Sequence, residues 1–95
     1  MCAALIGGMS RLKREYAEAA KALGVTLKVF DGNESYIADR IGQTECLILF
    51  TGKLSHKARS EAMRHAVRNG IPVRQCHSSG ISSLRQCLND ITNNR

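Results

Sequence analysis

Residues 46–57 have the sequence CLILFTGKLSHK, and this stretch decides the fold. Its first five residues, Cys46 to Phe50, are apolar without a break, which is typical of a strand buried on both faces of a parallel sheet. A polar loop follows, and apolar residues then recur at helical spacing: Ala58, Ala62, Met63, Ala66 and Val67. Ligand-binding α/β sheets are built from this unit of strand, polar loop and helix.

The same unit occurs four times along the chain. Apolar runs predict strands over residues 2–6, 25–30, 46–50 and 71–76, and helical spacing predicts helices over residues 10–23, 35–41, 55–69 and from 81 onward. Ser10 is expected to cap the first helix, and Gly24 and Gly70 to end the first and third. The first helix is predicted to turn Leu12, Tyr16, Ala19, Ala20 and Leu23 inward, the second Ile37 and Ile41, and the last Ile81, Leu84, Leu88 and Ile91.

Four consecutive strand–helix units predict a parallel sheet with right-handed crossovers. Strands one and three are continuously apolar and belong in the middle, whereas strands two and four alternate apolar with polar residues and belong at the edges. Pro72 also suits an edge strand. We therefore expect residues 1–95 to form one small three-layer domain of the flavodoxin-like or Rossmann-like α/β class, (βα)4, with strand order 2-1-3-4.

Composition limits the possible partners. Fourteen Lys and Arg against eight Asp and Glu give a formal net charge of +6, which suits nucleic acid or a phosphorylated small molecule, or else is a generic basic surface. Aromatic residues make up only 4%, too few for a base-stacking platform. The apolar run at residues 2–6 is too short to span a membrane and lacks a basic leader, so we expect a soluble cytoplasmic protein.

The four cysteines show no zinc-type spacing. Cys2, Cys46 and Cys87 lie in apolar patterns, where a reduced cysteine acts as a small hydrophobic residue. Cys76 and His77 end the fourth predicted strand and could, with His56, hold a metal or haem, although no spacing rule requires it.

Short motifs after each strand are similar to those of the bacterial family of domains of unknown function 2325 (DUF2325), across almost the whole chain. The motifs are Gly7-Gly8, Asp31-Gly32, Thr51 with Ser55-His56, and Arg74 with Ser78-Ser79. The resemblance implies the same α/β fold and a rim at the strand ends, but no activity. The third loop, Gly52-Lys53-Leu54, lacks the cysteines that many members carry there, so it offers no cysteine-based metal site.

The carboxyl ends of parallel strands share one edge, so the loops at residues 7–10, 31–35, 51–56 and 76–80 are expected to form a common rim. Helix N-termini at this rim attract anions. The basic residues Arg11, Lys13, Arg14, Lys57 and Arg59 lie in first helical turns, where cations oppose the helix dipole unless an anion binds or the side chains extend into water. Neither a full Gly-x-Gly-x-x-Gly pattern nor a Walker motif occurs.

Three functions fit these observations. The first is a small-molecule binding or sensing module for a nucleotide or another phosphorylated ligand, at the rim formed by the loops after strands one, three and four. Its candidates are Gly7, Gly8, Ser10, Arg11, Asp31, Thr51, Lys53, Ser55, His56, Ser78 and Ser79, and the resemblance adds Arg74. The second is a basic nucleic-acid-binding accessory protein. The third is an enzyme acting through His56 or Cys76, but no Ser-His-Asp order or paired carboxylates support a hydrolase.

The small core and the exposed edges of the sheet predict a homodimer. Strand four or the last helix is the expected contact, because no later element covers the far side of the fourth unit.

Overall fold

The structure, a computed structural model, describes residues 1–34 and 36–93. Within these residues each of four strands is followed by an α-helix, and one turn of 3-10 helix lies between the first strand and the first α-helix. The elements are β1 (Cys2–Ile6), the 3-10 turn (Ser10–Leu12), α1 (Lys13–Ala22), β2 (Thr26–Phe30), α2 (Ile37–Ile41), β3 (Cys46–Phe50), α3 (His56–Asn69), β4 (Val73–Cys76) and α4 (Ile81–Asn93). The predicted first residue of the second helix, residue 35, lies outside the described residues.

The strands form one parallel sheet in the order β2-β1-β3-β4. Ile6 of β1 lies beside Phe30 of β2 and Leu49 of β3, and Phe50 lies beside Cys76 of β4. The predicted order is confirmed, and with it the flavodoxin-like α/β class. Because the register keeps the carboxyl ends level, the four loops that follow the strands lie at one edge of the sheet.

The core is divided between the two faces of the sheet. On one face, α1 and α4 pack on a cluster that consists of Ala3, Leu5, Tyr16, Ala20, Val25, Cys46, Ile48, Phe50, Leu84 and Leu88. On the other, α2 and α3 pack on Ala4, Ile6, Ile37, Ile41, Leu47, Leu49, Ala58, Ala62, Ala66 and Ile71. Only β1 and β3 supply buried residues to both clusters, which explains their unbroken apolar sequences.

One predicted inward residue, Leu23, is exposed, and so is Val67, an apolar residue of the spacing that predicted the third helix. Leu23 is 36% exposed because α1 ends at Ala22 and Leu23 lies in the following turn, where its N–H donates to the Ala20 carbonyl. Val67 is 78% exposed, since it lies about 100° around α3 from Ala66, which occupies the face that contacts the sheet. The other predicted inward residues are buried or half-buried.

The predicted cap of the first helix is also wrong. The segment begins with a 3-10 turn after Met9 and becomes α-helical only at Lys13, and no side chain caps either start. Ser10 instead donates its hydroxyl to an oxygen of Asp31, 2.9 Å away. The fourth strand starts at Val73 rather than at residue 71, because the Ile71 N–H donates to the Ala66 carbonyl at the end of α3 and proline has no N–H.

Candidate functional site

The loop after β1 lies close to both neighbouring strands. The Gly7 N–H donates to the Phe30 carbonyl of β2 at 3.0 Å. Gly7 has a φ of +93°, and a Cβ at this position would overlap the Phe50 carbonyl oxygen of β3. Only glycine meets both conditions without strain. The chain therefore leaves the middle of the sheet through a tight, buried turn between the ends of β2 and β3, at the switch point of the strand order.

A crevice of about 480 Å³ opens at this switch point. Its described lining comes from the loops after β1, β2 and β3 and consists of Gly7, Gly8, Met9, Ser10, Arg11, Asp31, Asn33 and Lys53. The two cations and the carboxylate come from three different loops. Charged groups of both signs thus converge on one open cavity whose floor includes the buried Gly7 and Gly8.

Local hydrogen bonds hold the Asp31 carboxylate in place. Oδ1 accepts from the Asn33 N–H at 2.8 Å, and Oδ2 accepts from the Ser10 hydroxyl at 2.9 Å. The hydrogen bond from the Asn33 N–H, with smaller contributions from the Ser10 hydroxyl and the charge of Lys13, holds the pKa of Asp31 below its usual value. Asp31 is therefore an ionised acceptor of fixed orientation.

The Glu34 carboxylate bonds the backbone of the same loop. It accepts from the Asp31 N–H at 3.1 Å and from the Gly32 N–H at 3.0 Å, and it lies 3.6 Å from the Lys13 ammonium group. A carboxylate that binds two successive amides fixes the backbone of a turn. The loop after β2 is thus tied both to itself and to α1.

Tyr16 joins the loop after β1 to the loop after β4. Its ring is fully buried and packs edge-on against Phe50, with ring centroids 5.9 Å apart. Its hydroxyl accepts from the Met9 N–H at 3.2 Å and donates to the Ser79 carbonyl. The sequence predicted Tyr16 only as a core residue. Helical spacing indicates which face of a helix is buried, but it does not indicate which distant loops a buried hydroxyl contacts.

The loop after β3 is fixed at its beginning by hydrogen bonds to the loop after β4 and at its end by the cap of α3. The Thr51 and Gly52 N–H groups donate to the carbonyls of Cys76 and His77, at 2.8 and 3.2 Å. A Cβ at Gly52 would lie 2.5 Å from the His77 carbonyl oxygen, so this contact requires glycine. The loop ends at Ser55, whose side chain accepts from the Ala58 N–H at 3.1 Å and caps α3. Lys53 thus extends from a short segment fixed at both ends.

Comparison with protein families agrees with the motifs at these loops. The model of the family described as an uncharacterized protein conserved in bacteria (DUF2325) matches residues 2–91. The chain belongs to the DUF2325 family. The matched part of this DUF2325 chain includes the four strands and every crevice residue named above. No curated protein and no solved structure matches it significantly. In the described residues, no helix has the length and apolar character to cross a membrane.

The crevice of this DUF2325 chain brings together six of the candidate ligand residues: Gly7, Gly8, Ser10, Arg11, Asp31 and Lys53. Met9 and Asn33 also line it and were not among the candidates. Met9 directly follows the Gly7-Gly8 motif, and Asn33 directly follows the Asp31-Gly32 motif. This position in the loop, between a motif and the next helix, is the sequence signal that could have identified both as candidates.

The remaining candidates lie outside the described lining of the crevice. Ser55 lines a neighbouring hollow of about 470 Å³, which shares Asn33 with the crevice. His56 is the exposed first residue of α3, and Arg74 lies within β4 rather than at its end. Thr51 and Ser79 serve the loops through their backbones, and the Ser78 hydroxyl accepts from the Gly80 N–H at 3.3 Å.

The proposed metal ligands of this DUF2325 chain lie on different sides of the sheet. Cys76 packs against the cluster under α1 and α4, whereas His56 begins α3 on the opposite face. The described residues contain no group of three or more His, Cys, Asp or Glu side chains placed to hold a metal ion. Burial raises the pKa of Cys46, and burial together with the neighbouring Cys76 thiol raises that of Cys87, so both favour the neutral thiol.

Proposed function

We propose that the chain is a small-molecule binding or sensing module whose crevice takes an anionic ligand, either a nucleotide or another phosphorylated molecule. The observation that carries this proposal is the position of the crevice, about 480 Å³ at the switch point of a parallel sheet. Ligands of open α/β sheets bind at this point, and small-molecule sites have volumes of roughly 300–1,000 Å³.

The lining supports an anion in two ways. Arg11 and Lys53 supply positive charge from two separate loops. The first N–H groups of the 3-10 turn, at Ser10 and Arg11, have no earlier carbonyl within the turn to bond, so they can donate to a ligand. Charge and directed donors together favour phosphate over a neutral ligand.

The first test is a thermal-shift screen with nucleotides, sugar phosphates, metal ions and haem, followed by calorimetric titration of the compounds that raise the melting temperature. Lys53→Ala should weaken the binding of a phosphorylated compound by about 1–3 kcal/mol, the range for a hydrogen bond to a charged group. It should change the free energy of unfolding by no more than about 0.5 kcal/mol, because Lys53 is exposed.

The matched control is Lys21→Ala, which removes the same charge from an exposed residue in the last turn of α1, away from the crevice. It should leave the affinity unchanged. Equal affinity in the wild type, Lys53→Ala and Arg11→Ala would contradict the proposed site. His56→Ala adds a second comparison: weaker binding would extend the site along the loop, whereas lost stability with unchanged affinity would make His56 structural.

A second candidate function is nucleic-acid binding, and it has a separate observation in its favour. Lys57, Arg64 and Arg68 are exposed on α3 and lie within about 40° of one another around the helix. Such a stripe suits a phosphate backbone. Fluorescence anisotropy with labelled DNA and RNA distinguishes the two functions. Binding that falls steeply with salt and is lost in Arg64→Ala would favour the stripe over the crevice.

We also propose that the chain works in the cytoplasm. The four cysteines are free thiols, as is usual in a reducing compartment. Cell fractionation with a compartment marker tests this, and recovery in a membrane or extracellular fraction would contradict it.

A further inference from the structure

A carboxylate lies among the cations of the crevice. Asp31 lines the same cavity as Arg11 and Lys53. For a ligand that is only an anion, a negative side chain here is unfavourable because like charges repel in a partly desolvated site. The pattern is understandable if one part of the ligand carries negative charge and another part carries hydrogen-bond donors.

The Asp31 carboxylate is held ready to accept such donors. Each of its oxygens already accepts one bond, from the Asn33 N–H and from the Ser10 hydroxyl. A carboxylate offers about four acceptor positions, so both oxygens retain one for a ligand. The two existing bonds fix the group without using up its acceptor capacity. An ionised carboxylate of this kind binds two adjacent hydroxyl groups well, and it rejects phosphate oxygens.

The positions of the charges along the rim agree with such a ligand. Asp31 follows the end of β2, and the glycine turn follows the end of the adjacent β1, with the Gly7 N–H bonded to the Phe30 carbonyl between them. In α/β folds of this kind, by analogy at the level of the fold, an acidic residue after the second strand binds ribose hydroxyls while phosphate lies near the first loop. The missing Gly-x-Gly-x-x-Gly pattern speaks against a dinucleotide.

We propose that Asp31 accepts hydrogen bonds from the 2′- and 3′-hydroxyls of a ribose, so that the ligand of the crevice is a ribonucleoside monophosphate. The phosphate lies toward Lys53 and Arg11, and the sugar lies toward Asp31. This assignment rests on the proposed function, since it names the ligand class of the same crevice.

The test compares four ribonucleoside 5′-monophosphates with their 2′,3′-dideoxy counterparts by calorimetric titration. A site built to bond hydroxyl groups discriminates strongly against a ligand that lacks them, because its own polar groups then lose their partners. We expect the wild type to bind at least one ribonucleotide about tenfold or more tightly than its dideoxy form.

Asp31→Asn should remove this preference. The asparagine oxygen can still accept from the Asn33 N–H and keep the loop in place, but the charge is lost. Affinity for the ribonucleotide should fall about tenfold, whereas affinity for the dideoxy form should stay the same or rise, because the repulsion of phosphate is relieved. Asp90→Asn, the same charge change at an exposed residue of α4, should leave both affinities unaltered. Melting curves of both variants check that they fold.

The outcomes separate the two proposals. Equal affinity of the wild type for ribo and dideoxy forms overturns the ribose assignment and leaves anion binding in place. A preference that persists in Asp31→Asn also overturns it. Failure of every phosphorylated compound to bind at millimolar concentration removes both proposals together. A preference that is present in the wild type and Asp90→Asn but lost in Asp31→Asn supports the assignment.

Discussion

At the scale of single residues, the hydroxyl of Tyr16 has the widest structural effect. One oxygen atom bonds the Met9 N–H and the Ser79 carbonyl, which belong to loops after β1 and β4. The two loops flank the loop after β3, so this oxygen helps to fix the whole rim. The Tyr16 side chain is fully buried and Met9 and Ser79 are half-buried, so loss of the hydroxyl removes two hydrogen bonds that are partly shielded from water.

Tyr16→Phe therefore isolates the hydroxyl. Phenylalanine keeps the ring and its edge-on contact with Phe50, but leaves the Met9 N–H and the Ser79 carbonyl without this partner. We expect the free energy of unfolding to fall by about 1–3 kcal/mol in urea melts. Tyr36→Phe is the control: Tyr36 is 75% exposed, so its change should stay within about 0.5 kcal/mol. Equal stability of the two variants would contradict this role.

Asp31 gives a prediction about pH. Its pKa in the folded chain lies below the ordinary value of 3.8, first because of the Asn33 amide. A lowered folded pKa adds stability that is complete above the unfolded pKa and is lost as pH falls through the folded pKa. Wild type should therefore exceed Asp31→Asn in stability at about pH 6 and lose this advantage progressively as pH falls below 3.8 and through the lowered folded pKa. Urea melts across this range test it, with Asp90→Asn as control. A pH-independent difference would contradict it.

At the scale of elements, α3 has the best-defined ends. Ser55 caps its start, and Gly70, with a φ of +65°, ends it by donating its N–H to the Ala66 and Val67 carbonyls. The sequence predicted both ends, because serine and glycine are strongly selected at these positions. The start of the first helix was not predictable in the same way, since the Ser10 hydroxyl bonds the Asp31 carboxylate of another loop instead of capping the helix.

Ser55→Ala should lower the free energy of unfolding by about 1 kcal/mol, because the Ala58 N–H loses its acceptor. Ser55→Asp should restore most of it, since an aspartate accepts the same bond and suits the helix dipole. Ser60→Ala is the control: it makes the same substitution inside α3, where the serine does not cap the helix, and it should leave stability unchanged or raise it slightly. Urea melts of the three variants give the comparison. If Ser55→Ala and Ser60→Ala have the same effect, the cap contributes nothing measurable.

At the scale of the whole molecule, the sequence predicted the strand order because burial differs between strands. β1 and β3 are apolar throughout, and only the two central positions bury both faces of a strand. The same order predicted that the loops after β1 and β3 meet beside the switch point. The expected site also included the loop after β4, whereas the described lining of the crevice includes the loop after β2 instead. Asp31 bonding to Ser10 and Tyr16 joining two loops were not predictable, since both depend on contacts between residues far apart in sequence.

The free edge of β4 gives the last prediction, a homodimer. β4 is an edge strand of the sheet that the described residues form, and Arg74 and Gln75 on it are exposed. One side of α3 lies next to this edge, because the Arg59 side chain donates a hydrogen bond to the Gln75 side chain of β4. The exposed Val67 lies about two turns further along the same side of α3. An open strand edge beside apolar surface favours pairing with a second copy.

We expect light scattering at micromolar concentration to give twice the 10.4 kDa mass of one chain. Val67→Lys should shift the equilibrium to the monomer, because a charge replaces apolar surface beside the edge, and it should unfold like the wild type, since residue 67 is 78% exposed. Leu23→Lys is the matched change in the cleft between α1 and α4, and it should leave the dimer intact. Dissociation by Leu23→Lys alone would instead place the contact at the last helix, the other predicted position. A wild-type mass of 10.4 kDa over the whole concentration range would remove the dimer altogether.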